Sequence, residues 1–200
     1  MWDSKQIALV IVFTALAIIL TPIRIPSIIL VDVYFRFSEI PIVTAFLLFG
    51  PKIGISIAVL NIGAEMIVLP GPMAFISPFF VLGLTLSMLL GIHTALSMFN
   101  RKEALNGNYG KKIGVYVTAI GALFRTVPAP FLIGFLYRFI IPSVLGINLT
   151  TSIVIGLMPA FCLYALIFSI YTIPIGYFIA RTIGQNLKIT NEYYERFRIN

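Results

Sequence analysis

From Ser152 to Ala180 the chain runs without a single Asp, Glu, Lys or Arg. A helix needs about 20 mainly apolar residues to cross the roughly 30 Å hydrocarbon layer of a bilayer, and this stretch exceeds that length. The rest of the chain is of the same kind: 60% of its residues are hydrophobic and only 10% are charged. No soluble domain of this length has such a balance. The expected fold class is therefore an all-α membrane protein, a single integral-membrane domain over residues 1–200.

The apolar runs predict six transmembrane helices, at about 7–21, 39–49, 52–69, 74–99, 113–136 and 152–180. The first ends at Thr21-Pro22. No small-residue cleavage site followed by a polar chain comes after it, so it is expected to stay as a membrane helix rather than leave as a signal peptide. Pro22, Arg24, Pro26, Asp32 and Arg36 interrupt the next stretch, which reads as a long connection. The second apolar run, Glu39 to Phe49, would make a helix only about 16 Å long. It needs either a connection that dips into the membrane or neighbours that shield it. Pro51 suits a first helical position, Pro70-Gly71-Pro72 stops the third helix, and Pro128 and Pro130 should kink the fifth. Residues 137–151 read as an outer loop.

Charge orients the bundle. The longest polar connection, from Asn100 to Lys112, holds Arg101, Lys102, Lys111 and Lys112 against Glu103 alone. By the positive-inside rule it is cytoplasmic. Counting outward, the N and C termini are both cytoplasmic, which makes the chain a multi-pass protein of the cell membrane. The net charge of +7 is thus a matter of topology. The basic residues form no stripe interleaved with aromatics, so no nucleic acid partner is implied. Arg24, Arg36, Arg125 and Arg138 are the arginines that topology leaves unexplained.

Arg125 is the sharpest of these, because a lipid-facing arginine deep in a helix costs about 2.5–3.5 kcal/mol on insertion scales. It must face protein, a partner or a cavity. Asn61 and Glu65, four apart, lie on one face of the third helix. Glu65 and Arg125 each fall twelve positions after the cytoplasmic start of their helices, roughly 18 Å deep. Equal depth permits an ion pair. Two readings stay open, a buried pair that only fixes helix packing, or one or both groups lining a ligand cavity open to the outside. His93 and the lone Cys162 read as packing residues. Tyr34, Phe35 and Phe37 read as interfacial anchors or as a lid over an apolar ligand.

Several chemistries lack their residues. There is no GxxxxGK phosphate cradle, so the chain is no ATP-hydrolysing engine, and no HExxH. One histidine and one cysteine argue against a zinc or hydrolase site. No enzyme activity, metal or cofactor is expected. A small membrane protein with a few buried polar groups suits a binding pocket, which is mostly apolar with a few placed polar groups.

The run FRFSEIPIVTAFLLFGPKIGISIAVLNIG, behind a first helix ending in proline and a long loop, resembles the substrate-binding S components of energy-coupling-factor (ECF) vitamin transporters, particularly the riboflavin type. Phe37, Ser38, Ile40, Pro41, Phe49, Gly50, Pro51 and Gly54 carry the likeness. Arg36 stands where members often have an acidic residue. The resemblance implies high-affinity capture of a vitamin from outside, riboflavin first, or else a thiamine, pantothenate or pyridoxine type. It also implies partners: a transmembrane coupling subunit and two ATPase subunits, in contact with membrane lipid. Phe37, Asn61, Glu65, Arg125 and Tyr164 are the expected substrate-binding residues, with Glu65 or Arg125 fixing the ligand's polar end. The alternative is a structural membrane protein without a transport role.

Overall fold

A computed structural model describes residues 3–26, 34–68, 76–98, 110–146 and 150–187. The Pro70-Gly71-Pro72 stop and nearly all of the basic connection from Asn100 fall outside the described residues. In chain order the elements are α1 (Ser4–Leu20), β1 (Arg24–Pro26), β2 (Tyr34–Arg36), α2 (Glu39–Phe49), α3 (Pro51–Val68), α4 (Ile76–Met98), α5 (Gly110–Thr126), α6 (Ala129–Phe135), a π-helical turn (Leu136–Ile140), α7 (Ile141–Leu145) and α8 (Thr151–Leu187).

Among the described residues each of the six apolar runs is helical, the fifth with a break at Val127-Pro128. Three continuous stretches, Ile76–Met98, Lys112–Val144 and Thr151–Gln185, are long and apolar enough to cross a membrane, and α1 and α2 are shorter apolar helices. The core is apolar, but unlike that of a soluble protein the outer surface is apolar too. On α1 the buried positions include Gln6 and Thr14, whereas Ile11, Val12 and Ile19 are more than 60% exposed. Large apolar side chains cover the outside of α5, α6 and α8 in the same way, among them Val115, Phe131 and Phe178. In water so much contiguous apolar surface would drive aggregation; against lipid tails it costs nothing.

The short α2 is the centre of the bundle. Every residue from Glu39 to Leu48 is buried, so neighbours shield it. It packs on α1, α3 and α8. Gly50 ends it with φ 103°, a conformation that glycine adopts without a Cβ clash, and the chain reverses directly into Pro51 of α3. Gly54 then lets the two helices touch: a Cβ there would lie 2.6 Å from Phe46 Cβ and 2.8 Å from its Cα.

Three expectations need correction. The connection after α1 contains an antiparallel hairpin, with Arg24 opposite Arg36, Ile25 opposite Phe35 and Pro26 opposite Tyr34. Helical structure continues past Leu136 through the π turn and α7 to Gly146, where an outer loop is expected from 137. Ser143 supports this extension by donating to the Phe139 carbonyl. Finally, α8 runs on to Leu187, beyond Ala180, with Pro159 and Pro174 inside it. The kink expected in the fifth helix is a short break at Val127-Pro128, flanked by the Val127 N–H bond to the Leu123 carbonyl on the α5 side and the Leu132 N–H bond to the Pro128 carbonyl on the α6 side.

Candidate functional site

The buried charges sit where β2, the N-terminus of α2, and α3, α4, α5 and α8 converge. Arg125 of α5 binds Glu39, the first residue of α2, through both terminal guanidinium nitrogens. Nη2 donates to Oε1 at 2.9 Å and Nη1 donates to Oε2. Thr85 of α4 donates to the same carboxylate at 3.0 Å. Both partners are almost wholly buried, at 1% and 2% exposure. The flat face of the guanidinium lies 4.3 Å from the Phe168 ring centre on α8, a cation–π contact. Two-point recognition of a carboxylate is geometry that arginine's planar fork supplies and lysine does not.

Glu65 has a different partner. Arg36 of β2 donates from Nη1 to Glu65 Oε2 at 2.5 Å, and Asn61, one helical turn back on α3, donates from Nδ2 to Oε1 at 3.0 Å. The ion pair that equal depth permitted between Glu65 and Arg125 is therefore not formed. Each of the two charges is neutralised from the hairpin and α2 region instead. Asn61 Oδ1 and Arg125 Nε are buried without a hydrogen-bond partner among the described residues.

Above this charge layer lies an aromatic cluster. Phe35 lies tilted against Tyr164 at 5.1 Å between ring centres, Tyr164 meets Phe168 edge-on at 5.6 Å, and Phe168 is tilted against Tyr171 at 5.1 Å. Phe37 leans on Tyr171 at 6.1 Å. The two tyrosines also hold the hairpin by its backbone: Tyr164 Oη–H donates to the Tyr34 carbonyl at 2.8 Å and Tyr171 Oη–H to the Arg36 carbonyl at 2.9 Å.

All five expected site residues thus fall in or beside one cluster, in two groups. Phe37 and Tyr164 belong to the aromatic layer, with Arg125 under it. Asn61 and Glu65 belong to α3 and line a small void, about 10 Å3, together with Ser38, Glu39, Thr85 and apolar neighbours. That is room for about one water molecule. The role of Glu39 is not legible from the sequence, where it reads only as the start of an apolar run. A lone acid opening so hydrophobic a helix was the available signal. Nor are Thr85, Phe168 and Tyr171 legible there as partners.

No family model, curated protein or solved structure matches the chain. The site therefore rests on its own geometry. Arg138 is accounted for locally, donating to Thr151 Oγ1 at 2.7 Å and so tying the π turn to the start of α8. His93 is exposed at the edge of Phe46 and has no place in the cluster. Cys162 is a free thiol, half-buried rather than in the core.

Proposed function

We propose that this chain is the membrane-embedded binding subunit of an uptake system for a vitamin or related small molecule, riboflavin first, working with a transmembrane coupling subunit and two ATPase subunits. In this reading it is a multi-pass protein of the cell membrane with six spanning helices and cytoplasmic termini. It binds its cargo and performs no chemistry on it.

The observation that carries the reading is the aromatic layer over a buried charge layer, covered by a two-stranded hairpin. Phe35, Phe37, Tyr164, Phe168 and Tyr171 pack on one another beneath the hairpin, and once Phe35 and Phe37 lift with it the tyrosine rings are free to meet a flat heteroaromatic ligand. Offset and edge-to-face ring contacts are worth about 0.5–1.5 kcal/mol each beyond area burial. The hairpin strand that covers them is fastened by two tyrosine hydroxyls and the Arg36–Glu65 pair, a set of contacts that local opening can break. Glu39, Glu65, Arg36 and Arg125 then supply the polar contacts that fix a ligand's orientation.

A second reading has a specific observation in its favour. The void beside Glu65 holds about one water, and both ion pairs are closed. This suits a structural membrane protein whose charges only fix helix packing. Titration of the purified protein with riboflavin, thiamine, pantothenate and pyridoxine, read by thermal shift, separates the two. A saturable stabilisation by one vitamin supports capture. A melting temperature that none of them moves supports the scaffold.

A further inference from the structure

The void between α2, α3 and α4 has a chemical polarity. Its wall carries the carboxylates of Glu39 and Glu65 and the amide of Asn61, with the hydroxyls of Ser38 and Thr85. Two of the donors are already committed: one Nδ2 hydrogen of Asn61 to Glu65, and the Thr85 hydroxyl to Glu39. Besides the second Asn61 N–H and the Ser38 hydroxyl, the wall offers acceptors, above all the two carboxylates and Asn61 Oδ1, which is unpartnered on a residue only 3% exposed. A buried acceptor left unmade is costly, so the complementary occupant is a donor. Its size is that of one water, which is also the size of an amino or ammonium group.

Charge sharpens the match. The cation now at Glu65 is Arg36, which comes from the hairpin rather than from the helix bundle, and whose side chain is 12% exposed. Arg125, by contrast, is locked on Glu39 and Phe168. If β2 lifts, Glu65 loses its counter-charge while Arg125 does not, and a buried carboxylate that keeps only the Asn61 hydrogen bond takes up either a proton or another cation. We infer that the void beside Asn61 and Glu65 is a subsite for a ligand's amino nitrogen, which enters as an ammonium in place of the Arg36 guanidinium and donates to Asn61 Oδ1 and Glu65. This deepens the capture reading and rests on it. It assigns the α3 side of the site to cationic or amine-bearing cargo, which favours a thiamine-type vitamin over riboflavin, which carries no amino group, and over carboxylate cargo such as pantothenate.

The test uses methylammonium chloride as probe, with tetramethylammonium chloride as a control of equal charge that has no N–H and exceeds the void. Binding to the full chain in lipid nanodiscs is followed by thermal shift and calorimetry. Arg36→Gln removes the tethered competitor and is expected to bind methylammonium at least tenfold more tightly than the unsubstituted chain. Glu65→Gln, nearly isosteric, is expected to abolish binding, and tetramethylammonium to bind neither protein. The inference is overturned if Arg36→Gln gains no affinity for methylammonium, if both cations bind alike, or if the void takes water only. Should one of the vitamins bind the unsubstituted chain while methylammonium fails in Arg36→Gln, the capture reading stands and the amine subsite falls. Should none bind and methylammonium also fail, both fall.

Discussion

Arg125 and Glu39 meet through two parallel N–H···O contacts at the centre of the helix bundle, and neither side chain reaches the surface. The contact joins α5 to α2, helices far apart in sequence. It also explains how an arginine can lie deep in an apolar helix: its charge is answered by a carboxylate, a sulfur contact from Met88 and an aromatic face.

Removing one member of this pair is therefore expected to be severe. Arg125→Ala leaves a buried carboxylate and Glu39→Ala a buried guanidinium, each costing about 3–5 kcal/mol. Arg125→Lys keeps the charge and loses the fork, so it should also destabilise. A double change to Leu and Met, which removes both charges, should recover much of the loss. Melting temperatures in detergent micelles or nanodiscs measure all four variants, and a single variant as stable as the double one would contradict the assignment.

The hairpin clasp makes a separate prediction. Tyr164→Phe and Tyr171→Phe each delete one hydroxyl that donates to a β2 carbonyl, at about 0.5–1.5 kcal/mol apiece. Both keep the ring contacts. Hydrogen exchange at residues 34–36 should speed up several-fold, while exchange in α2 and α5 stays as it was. Uniform acceleration across the bundle would mean that these tyrosines act on the core and not on the clasp.

Close approach of α2 and α3 depends on one missing atom. A Cβ at Gly54 would stand 2.6 Å from Phe46 Cβ, against backbone that cannot rotate away. Gly54→Ala is expected to cost about 1–3 kcal/mol by overpacking. Phe46→Leu, which trims the opposing ring but leaves its Cβ, should relieve the strain only in part. Thermal denaturation of the two single variants and the double variant provides the check.

The positive-inside rule, applied to the basic sequence from Asn100 to Lys112, predicts that this connection faces the cytoplasm. A single-cysteine reporter placed there in a Cys162→Ser background should be blocked from a membrane-impermeant maleimide in intact cells and labelled in inverted vesicles. A reporter at Thr150 should behave in the opposite way. Labelling from the same side at both positions would overturn the six-span arrangement.

Much of the fold was legible because proline and glycine punctuate the apolar runs. Glu39 to Phe49 has the observed bounds, set by the acid that opens it and by Gly50-Pro51 that closes it. Ends judged by hydropathy alone are less well placed: α8 continues through Arg181 and Thr182 to Leu187, since a drop in hydropathy does not by itself end a helix and no proline interrupts it there. The hairpin was hidden by its three-residue strands, too short for an alternating pattern. The charge pairing was hidden for a geometric reason. Counting residues gives the depth of Glu65 and Arg125 but not the direction each faces around its helix, and their true partners, Arg36 and Glu39, lie only three positions apart at the mouth of α2.

The most direct measurement is mass spectrometry of the intact protein carried from its native membrane into nanodiscs, alongside Arg125→Ala and Glu65→Gln. Capture predicts one tightly held molecule of vitamin size per chain in the unsubstituted protein, released or much weakened in the variants. A chain that arrives bare, and stays bare after incubation with riboflavin, thiamine, pantothenate and pyridoxine, would contradict it.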